Sequence, residues 1–285
     1  MEGELWREVY RMVTDRGRGQ RPRRAIFDDA AIATTYLWAV LHDRPVCWAC
    51  RPASWPLWHR RRRLPTPATM SRRLRTASVQ GLLTQVEAAL VAQAPASTMR
   101  WIDAKPLAIG GNSQDPDAAY GHAAGGKAKG YKLHAIADAQ QGFVAWAIRP
   151  MNVNAQKVAL DLIDRVDSEG YLAADGEYDS NRLYDAAGAR GLQLLAPRRR
   201  GTRFGHKRHS PYRLRAAELL ARPFGQGLLA SRDGIERMFA HLTNLGFGLS
   251  PLPNWVRTLR RVELWVQAKL ILYHTYRHLL STEAA

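Results

Sequence analysis

Met99-Arg100-Trp101-Ile102-Asp103-Ala104 is the stretch from which the fold is read. Its apolar core, Trp101-Ile102, reads as a β-strand, yet an acid sits in the middle of it. Strands disfavour Asp, and an unpaired buried carboxylate is costly, so Asp103 needs a reason to be there. Downstream, Gly110 to Gly130 is rich in Gly, Asp and Pro and reads as a loop. Tyr131-Lys132-Leu133-His134-Ala135-Ile136-Ala137 reads as a second strand ending at Asp138, and Gln140-Gln141-Gly142 turns the chain into a third, Phe143 to Ile148. Val153 to Val166 carries Val158, Leu160, Ile163 and Val166 on the inner face of a helix. Gly170 to Ala174 is a fourth strand stopping at Asp175, Asn181 to Ala189 a helix, and Leu192 to Leu195 a fifth strand. This alternation predicts a mixed five-stranded α/β sheet with helices on both faces. In a sheet so ordered the first and fourth strands are central neighbours, and Asp103 and Asp175 converge. From Leu228 to Thr243 a helix places Ile235, Met238, Phe239 and Leu242 on one apolar stripe. Glu236 lies off the centre of that stripe, one turn after Arg232, and a helix crossing the sheet brings it to the same point.

Three carboxylates at one point suit a hard divalent cation. Mg²⁺ takes oxygen ligands, keeps several waters and leaves room for phosphate. Two such ions about 3.5–4 Å apart activate the attacking oxygen and stabilise the leaving oxygen of an in-line displacement. Each acid alone has a plainer explanation: Asp175 as a strand-end turn residue, Glu236 as a solvated helix acid paired with Arg232, Asp103 as a capping or loop acid. Their joint placement on a polycationic chain favours a common site. Of the other acids and imidazoles, Asp179 before Ser180 reads as a helix N-cap, Asp115-Pro116-Asp117 as a turn, and His122 and His134 as surface or core histidines. Asp233, beside Glu236, is not excluded on direction.

The charge balance names the partner. Forty-two Lys and Arg against 25 Asp and Glu leave a formal net charge of +17. Such a surface attracts polyanions, nucleic acid foremost. No apolar run reaches the roughly 20 residues of a membrane span. Met1-Glu2-Gly3-Glu4 lacks the order of a signal peptide, so a soluble cytoplasmic protein is expected. Residues 1–97 read as a mainly helical DNA-binding region, with a helix-turn-helix over about 27–76. Thr66-Pro67 is an N-cap with Pro at the first helical position. The helix it opens presents Arg72, Arg73 and Arg75 to DNA while Met70 and Leu74 pack behind. Residues 98–285 read as a second domain, built on the sheet; within it 197–225 reads as an inserted basic loop, whose Arg198, Arg199, Arg200, Lys207 and Arg208 grip the DNA backbone. Arg257, Arg260 and Arg261 lie near the start of a last helix, about Trp255 to Leu280. Cys47 and Cys50 have no second pair with which to hold zinc. Among Trp48, Trp55 and Trp58 they are expected to be buried and apolar.

Four segments stand in order: Trp101-Ile102-Asp103-Ala104-Lys105-Pro106-Leu107, Lys129-Gly130-Tyr131-Lys132-Leu133-His134, Ala174-Asp175-Gly176-Glu177-Tyr178-Asp179-Ser180, and Arg232-x-x-x-Glu236-Arg237-x-Phe239. The chain thereby resembles bacterial insertion-sequence transposases with an Asp-Asp-Glu triad, over roughly residues 20–280. The resemblance implies a ribonuclease H-like fold and two Mg²⁺ or Mn²⁺ ions per active site, with Asp103, Asp175 and Glu236 as the triad and its metal ligands. It implies double-stranded DNA as partner, cleavage at terminal inverted repeats to free a 3′-hydroxyl, attack of that hydroxyl on target DNA, and a homodimer on DNA. A related group carries Tyr-x-x-Arg-x-x-x-Glu-x-x-x-x-x-x-Lys. Here Arg232 and Glu236 are in place, but Leu229 and Thr243 occupy the Tyr and Lys positions. Arg237, or the cluster Arg257, Arg260 and Arg261, is the candidate substitute for the phosphate contacts of that group. Two other readings stay open: a stand-alone metal-dependent nuclease on the same fold, and a non-catalytic DNA-binding protein derived from a transposase.

Overall fold

Aromatic residues spaced along the N-terminal helices meet in one core. Trp6 lies on α1 (Glu2–Gly17) and Trp38 on α2 (Asp29–Leu41), with ring centroids 4.8 Å apart, and Trp55 stacks on Trp38 at 5.0 Å. α2 is buried at every position but Ala31, as expected of a helix with no continuous polar face; Asp28 caps it by accepting from Ala31 N at 2.6 Å. The short α3 (Val46–Ala49) turns Ala49 inward, which leaves Cys47 exposed and Cys50 half-buried. The expected burial of both thiols is therefore not found, because adjacent helical positions diverge by about 100°. α4 (Pro67–Arg73) begins as the sequence predicts: Thr66 accepts from Thr69 N at 3.2 Å, Pro67 follows, and Met70 is buried. α5 (Ala77–Val91) completes the run.

These observations come from a computed structural model that describes residues 1–18, 25–59, 61, 63–123, 125–166, 169–198, 209–249 and 251–283. Its contacts define two units. One comprises Met1–Gln93 with Asn244–Val256 and Leu264–Ala285; the other comprises Ala94–Thr243 with Arg257–Glu263. The sequence reading ran the second domain on to residue 285, whereas the chain from Leu264 groups with the N-terminal helices. Lys269 is one reason: fully buried, it donates to Asp43 (2.6 Å) and to the carbonyls of Val40 (3.0 Å) and Phe247 (2.9 Å).

The second unit is built on a mixed sheet of six strands, β1 (Met99–Ala108), β2 (Ala119–Ala123), β3 (Gly126–Asp138), β4 (Gly142–Pro150), β5 (Gly170–Ala173) and β6 (Leu192–Leu195). β1 is central, antiparallel to β3 and parallel to β5, which is parallel to β6. β4 pairs with residues 131–138 of β3 and β2 with residues 126–130, so the two share its outer edge end to end. This is a ribonuclease H-like α/β arrangement. The strand beyond the five expected is β2, in the stretch read as a loop. Its side chains are all at least partly exposed, so it carries no alternation of apolar residues to betray it. α6 (Ala155–Ile163) and α7 (Asn181–Ala189) cover one face, packing Val158, Leu162, Leu183 and Tyr184 against Ile102, Ile136, Leu172 and Leu194.

The segment read as a basic loop over 197–225 is helical from residue 211. It contains α8 (Pro211–Leu220) and the start of α9 (Pro223–Ala230), each with Pro in its first turn. The single helix expected over 228–243 is broken: α9 stops at Ala230 and α10 runs from Asp233 to Asn244. Ser231 marks the break. Its hydroxyl donates to the Leu228 carbonyl (2.7 Å) and accepts from Trp101 Nε1 (3.0 Å), tying the entry of α10 to β1. Trp101 points away from the Ile102 face by strand alternation. On that side α10 packs, with Phe239 stacked on Phe143 at 5.4 Å. α11 (Leu259–Glu283) begins in this unit. Among the described residues no helix is long and apolar enough to cross a membrane.

Candidate active site

Strand register brings the first two acids level. β1 and β5 run parallel with Trp101 opposite Ala173. Asp103 and Asp175 lie two residues further along each chain, on the same side as those partners. Asp175 has just left β5 and opens a tight turn, Gly176–Tyr178, by accepting from Glu177 N at 2.8 Å. That bond fixes the carboxylate where the strand ends. Glu236 comes from the first turn of α10, on its exposed side, while Ile235, Met238, Phe239 and Leu242 are buried.

Arg232 joins the set. Its guanidinium donates to Glu236 Oε1 at 2.7 Å and lies 3.6 Å from Asp103 Oδ2. Asp103 is the electrostatic hub. Burial pushes its carboxyl up to about 6; the Ala104 N–H, at 2.7 Å, opposes this, the negative charge of Asp175 adds to it, Arg232 opposes it and Glu236 adds to it. Asp175, Glu236 and Arg232 thus all act on the Asp103 carboxyl. Tyr178, buried, is held far above the usual phenol range by burial and by the charges of Asp103, Asp175 and Glu177.

Like charges drawn together in a half-buried place demand a counter-charge. As arranged, Arg232 supplies it, and among the described residues no three His, Cys, Asp or Glu side chains are gathered closely enough to hold one ion. The donors nevertheless match a hard cation: three carboxylates, with no thiol or imidazole among them. Asp103, Asp175 and Glu236 would be those donors if they were drawn together around an ion.

The basic residues selected from the sequence fare unequally. Arg72 and Arg75 are exposed. Arg73 is instead taken up by an ion pair with buried Asp29 and a bond to the Phe27 carbonyl (2.9 Å), so it fastens α4 to the start of α2. Arg198 is exposed beyond β6, at a groove of about 580 Å³ lined also by Tyr184, Arg213, Leu220 and Leu229. Arg199, Arg200, Lys207 and Arg208 lie outside the described residues. Arg237 is exposed beside Glu236, as are Arg260 and Arg261 on α11; Arg257 is half-buried just before that helix.

Two acids have roles that local sequence conceals. Asp179 is not the cap of α7; that position is Ser180, and Asp179 is buried in a two-pronged pair with Arg213 (2.7 and 2.9 Å). Asp115, read as part of a turn, is buried and accepts from Tyr131 OH (2.8 Å) and Thr258 N (2.9 Å), while Asp117 accepts from Leu259 N (2.8 Å). Together they clamp the start of α11, and with it Arg257, Arg260 and Arg261. No sequence signal points to this, since the partners are more than 140 residues apart. His122 is exposed on β2. His134 is buried with neither ring nitrogen partnered among the described residues, and burial, then Lys132 and Arg149, push it down to about 4. It pairs in register with Ala104, on the side of β1 opposite Asp103, and is no part of the site.

The family model described as "Transposase DDE domain" matches residues 95–274, well over half of the chain. No curated protein and no solved structure matched it.

Proposed function

We propose that this chain, which belongs to the family of transposases with a DDE domain, is an insertion-sequence enzyme that cuts DNA at terminal inverted repeats and joins the freed 3′-hydroxyl to target DNA. The observation that carries the reading is the common electrostatic neighbourhood of Asp103, Asp175, Glu236 and Arg232. Asp103, Asp175 and Glu236 would hold two Mg²⁺ or Mn²⁺ ions, which would supply charge neutralisation to the attacking and leaving oxygens. Asp175 is pre-oriented by its bond from Glu177 N, and the Trp101–Ser231 bond sets where α10 delivers Glu236. Arg232, placed beside both Asp103 and Glu236, steadies a phosphate or orients Glu236. Arg72 and Arg75 of the helical unit contact DNA, as do Arg198, Arg237, Arg257, Arg260 and Arg261. The chain works as a homodimer on DNA, because two ends have to be held together, and it acts in the cytoplasm.

The test is a cleavage and strand-transfer assay on DNA bearing the ends that flank the gene, with Mg²⁺ or Mn²⁺, comparing wild type with Asp175→Ala. Metal-dependent nicking with a joined product, both lost in the variant, supports the proposal. Nicking without joining points to a nuclease, and tight binding of the ends with no product points to a DNA-binding relic.

A further inference from the structure

Lys105 lies two residues after Asp103 in β1, on the same side of the strand. At about 3.3 Å of rise per residue, their Cα atoms are about 6.6 Å apart. The pairing of β1 with β5 runs only as far as Trp101 and Ala173, so from Asp103 to Lys105 that edge of β1 has no strand beside it among the described residues. Lys105 is half-buried. Among the described residues its ammonium has neither a carboxylate nor a hydrogen-bond acceptor.

Four of the other cations around the sheet are engaged. Arg232 is held between Asp103 and Glu236, Arg213 by Asp179, Arg100 by Asp138, and Lys129 by the Ser113 carbonyl (2.7 Å). The position seven residues after Glu236 contributes no charge, since Thr243 turns its hydroxyl back to the Phe239 carbonyl (2.7 Å). A site of three carboxylates repels a polyanion unless a cation stands close by. A half-buried ammonium without an internal partner is itself short of an anion. Both deficits are met by one contact.

We propose that Lys105 binds a DNA phosphate adjacent to the one that is cut, and so positions the strand over Asp103. The inference rests on the transposase reading above for the identity of the DNA, and Lys105 is a positioning residue in it. Each phosphate contact contributes about 0.9 to the slope of log K against log salt. Binding of flanking-end DNA is measured by fluorescence anisotropy across a salt series, without divalent metal, for wild type, Lys105→Gln and Lys105→Arg. Lys105→Gln is expected to flatten the slope by about 0.9 and to weaken binding about eightfold near 0.1 M salt, while Lys105→Arg keeps the slope. A lysine that serves only packing would alter the melting temperature and leave the slope at the wild-type value; that slope overturns the proposal. Should Lys105→Gln fold poorly, Lys105→Met retains the apolar stem and gives the same readout. The strand-transfer assay separates the two ideas. Wild type that cuts and joins, with an unchanged slope in the variant, refutes the Lys105 contact alone; a flattened slope in a protein that neither cuts nor joins supports the contact and refutes the transposase activity.

Discussion

Replacing Asp103 by Asn tests whether the site is held together at the expense of stability. In the folded chain the Asp103 carboxyl is pushed up to about 6, chiefly by burial, with Asp175 and Glu236 adding to it against the Ala104 N–H and Arg232. In the unfolded chain it titrates near 4. At about 1.36 kcal/mol for each pH unit of difference, ionising it in the fold costs up to about 3 kcal/mol. A quarter of the side chain is in water, which reduces the expectation to about 2 kcal/mol. The sign follows from proton binding. Between about pH 4 and 6 the folded state holds a proton that the unfolded state has lost, so stability is full below about 4 and declines as pH rises through about 6. Asparagine has no such decline. Urea unfolding of wild type and Asp103→Asn, in chelator, is therefore expected to coincide near pH 4. The variant then becomes more stable by about 2 kcal/mol above pH 7, while losing cleavage. Added Mg²⁺ is expected to narrow the gap by stabilising wild type alone. A difference independent of pH, or a variant less stable at pH 8, refutes the reasoning.

Other positions yield sharper structural tests. A Cβ at Gly234 lies 2.6 Å from the Trp101 ring; Gly234→Ala is expected to cost about 1–3 kcal/mol by overpacking and to lower cleavage by moving α10, as thermal melts and the nicking assay will report. Asp115→Ala strands the Tyr131 hydroxyl and the Thr258 N–H, so a loss of about 2–4 kcal/mol is expected against about 1 kcal/mol for Tyr131→Phe, both read by urea unfolding. Arg232→Gln releases Glu236 and Asp103 from their counter-ion. It is expected to tighten Mn²⁺ binding in the absence of DNA several-fold by calorimetry; weaker binding would mean that Arg232 arranges the acids for metal rather than competing with it.

How much was legible in advance follows from the range of each signal. β1, β3 and β4, the helices α6 and α7, and the apolar stripe of α10 are visible because burial on one face imposes a period of two or 3.6 on nearby residues. Asp103 and Asp175 stand out because Asp in a strand and Asp at a strand end conflict with local preference. β2 escaped because an exposed edge strand has no period to show. α8 and α9 escaped because Pro, Gly and Arg in 197–225 suggest a loop, although Pro in the first turn is compatible with a helix.

From the sequence alone came the α/β class, the central pairing of the strands that lead to Asp103 and Asp175, the basic charge that marks nucleic acid as partner, and the three acids proposed as the triad. Each rests on residue chemistry and short-range periodicity. Only the tertiary structure decided which charged groups are engaged. Arg73 is held by Asp29, Asp179 by Arg213, the start of α11 by Asp115 and Asp117, and Lys269 by Asp43, while Lys105 beside the acids has no such partner among the described residues. The choice of an ion-pair partner is made between segments that only folding brings together, over separations of 34 residues for Arg213–Asp179 and 226 for Lys269–Asp43, and no local pattern along the chain encodes it.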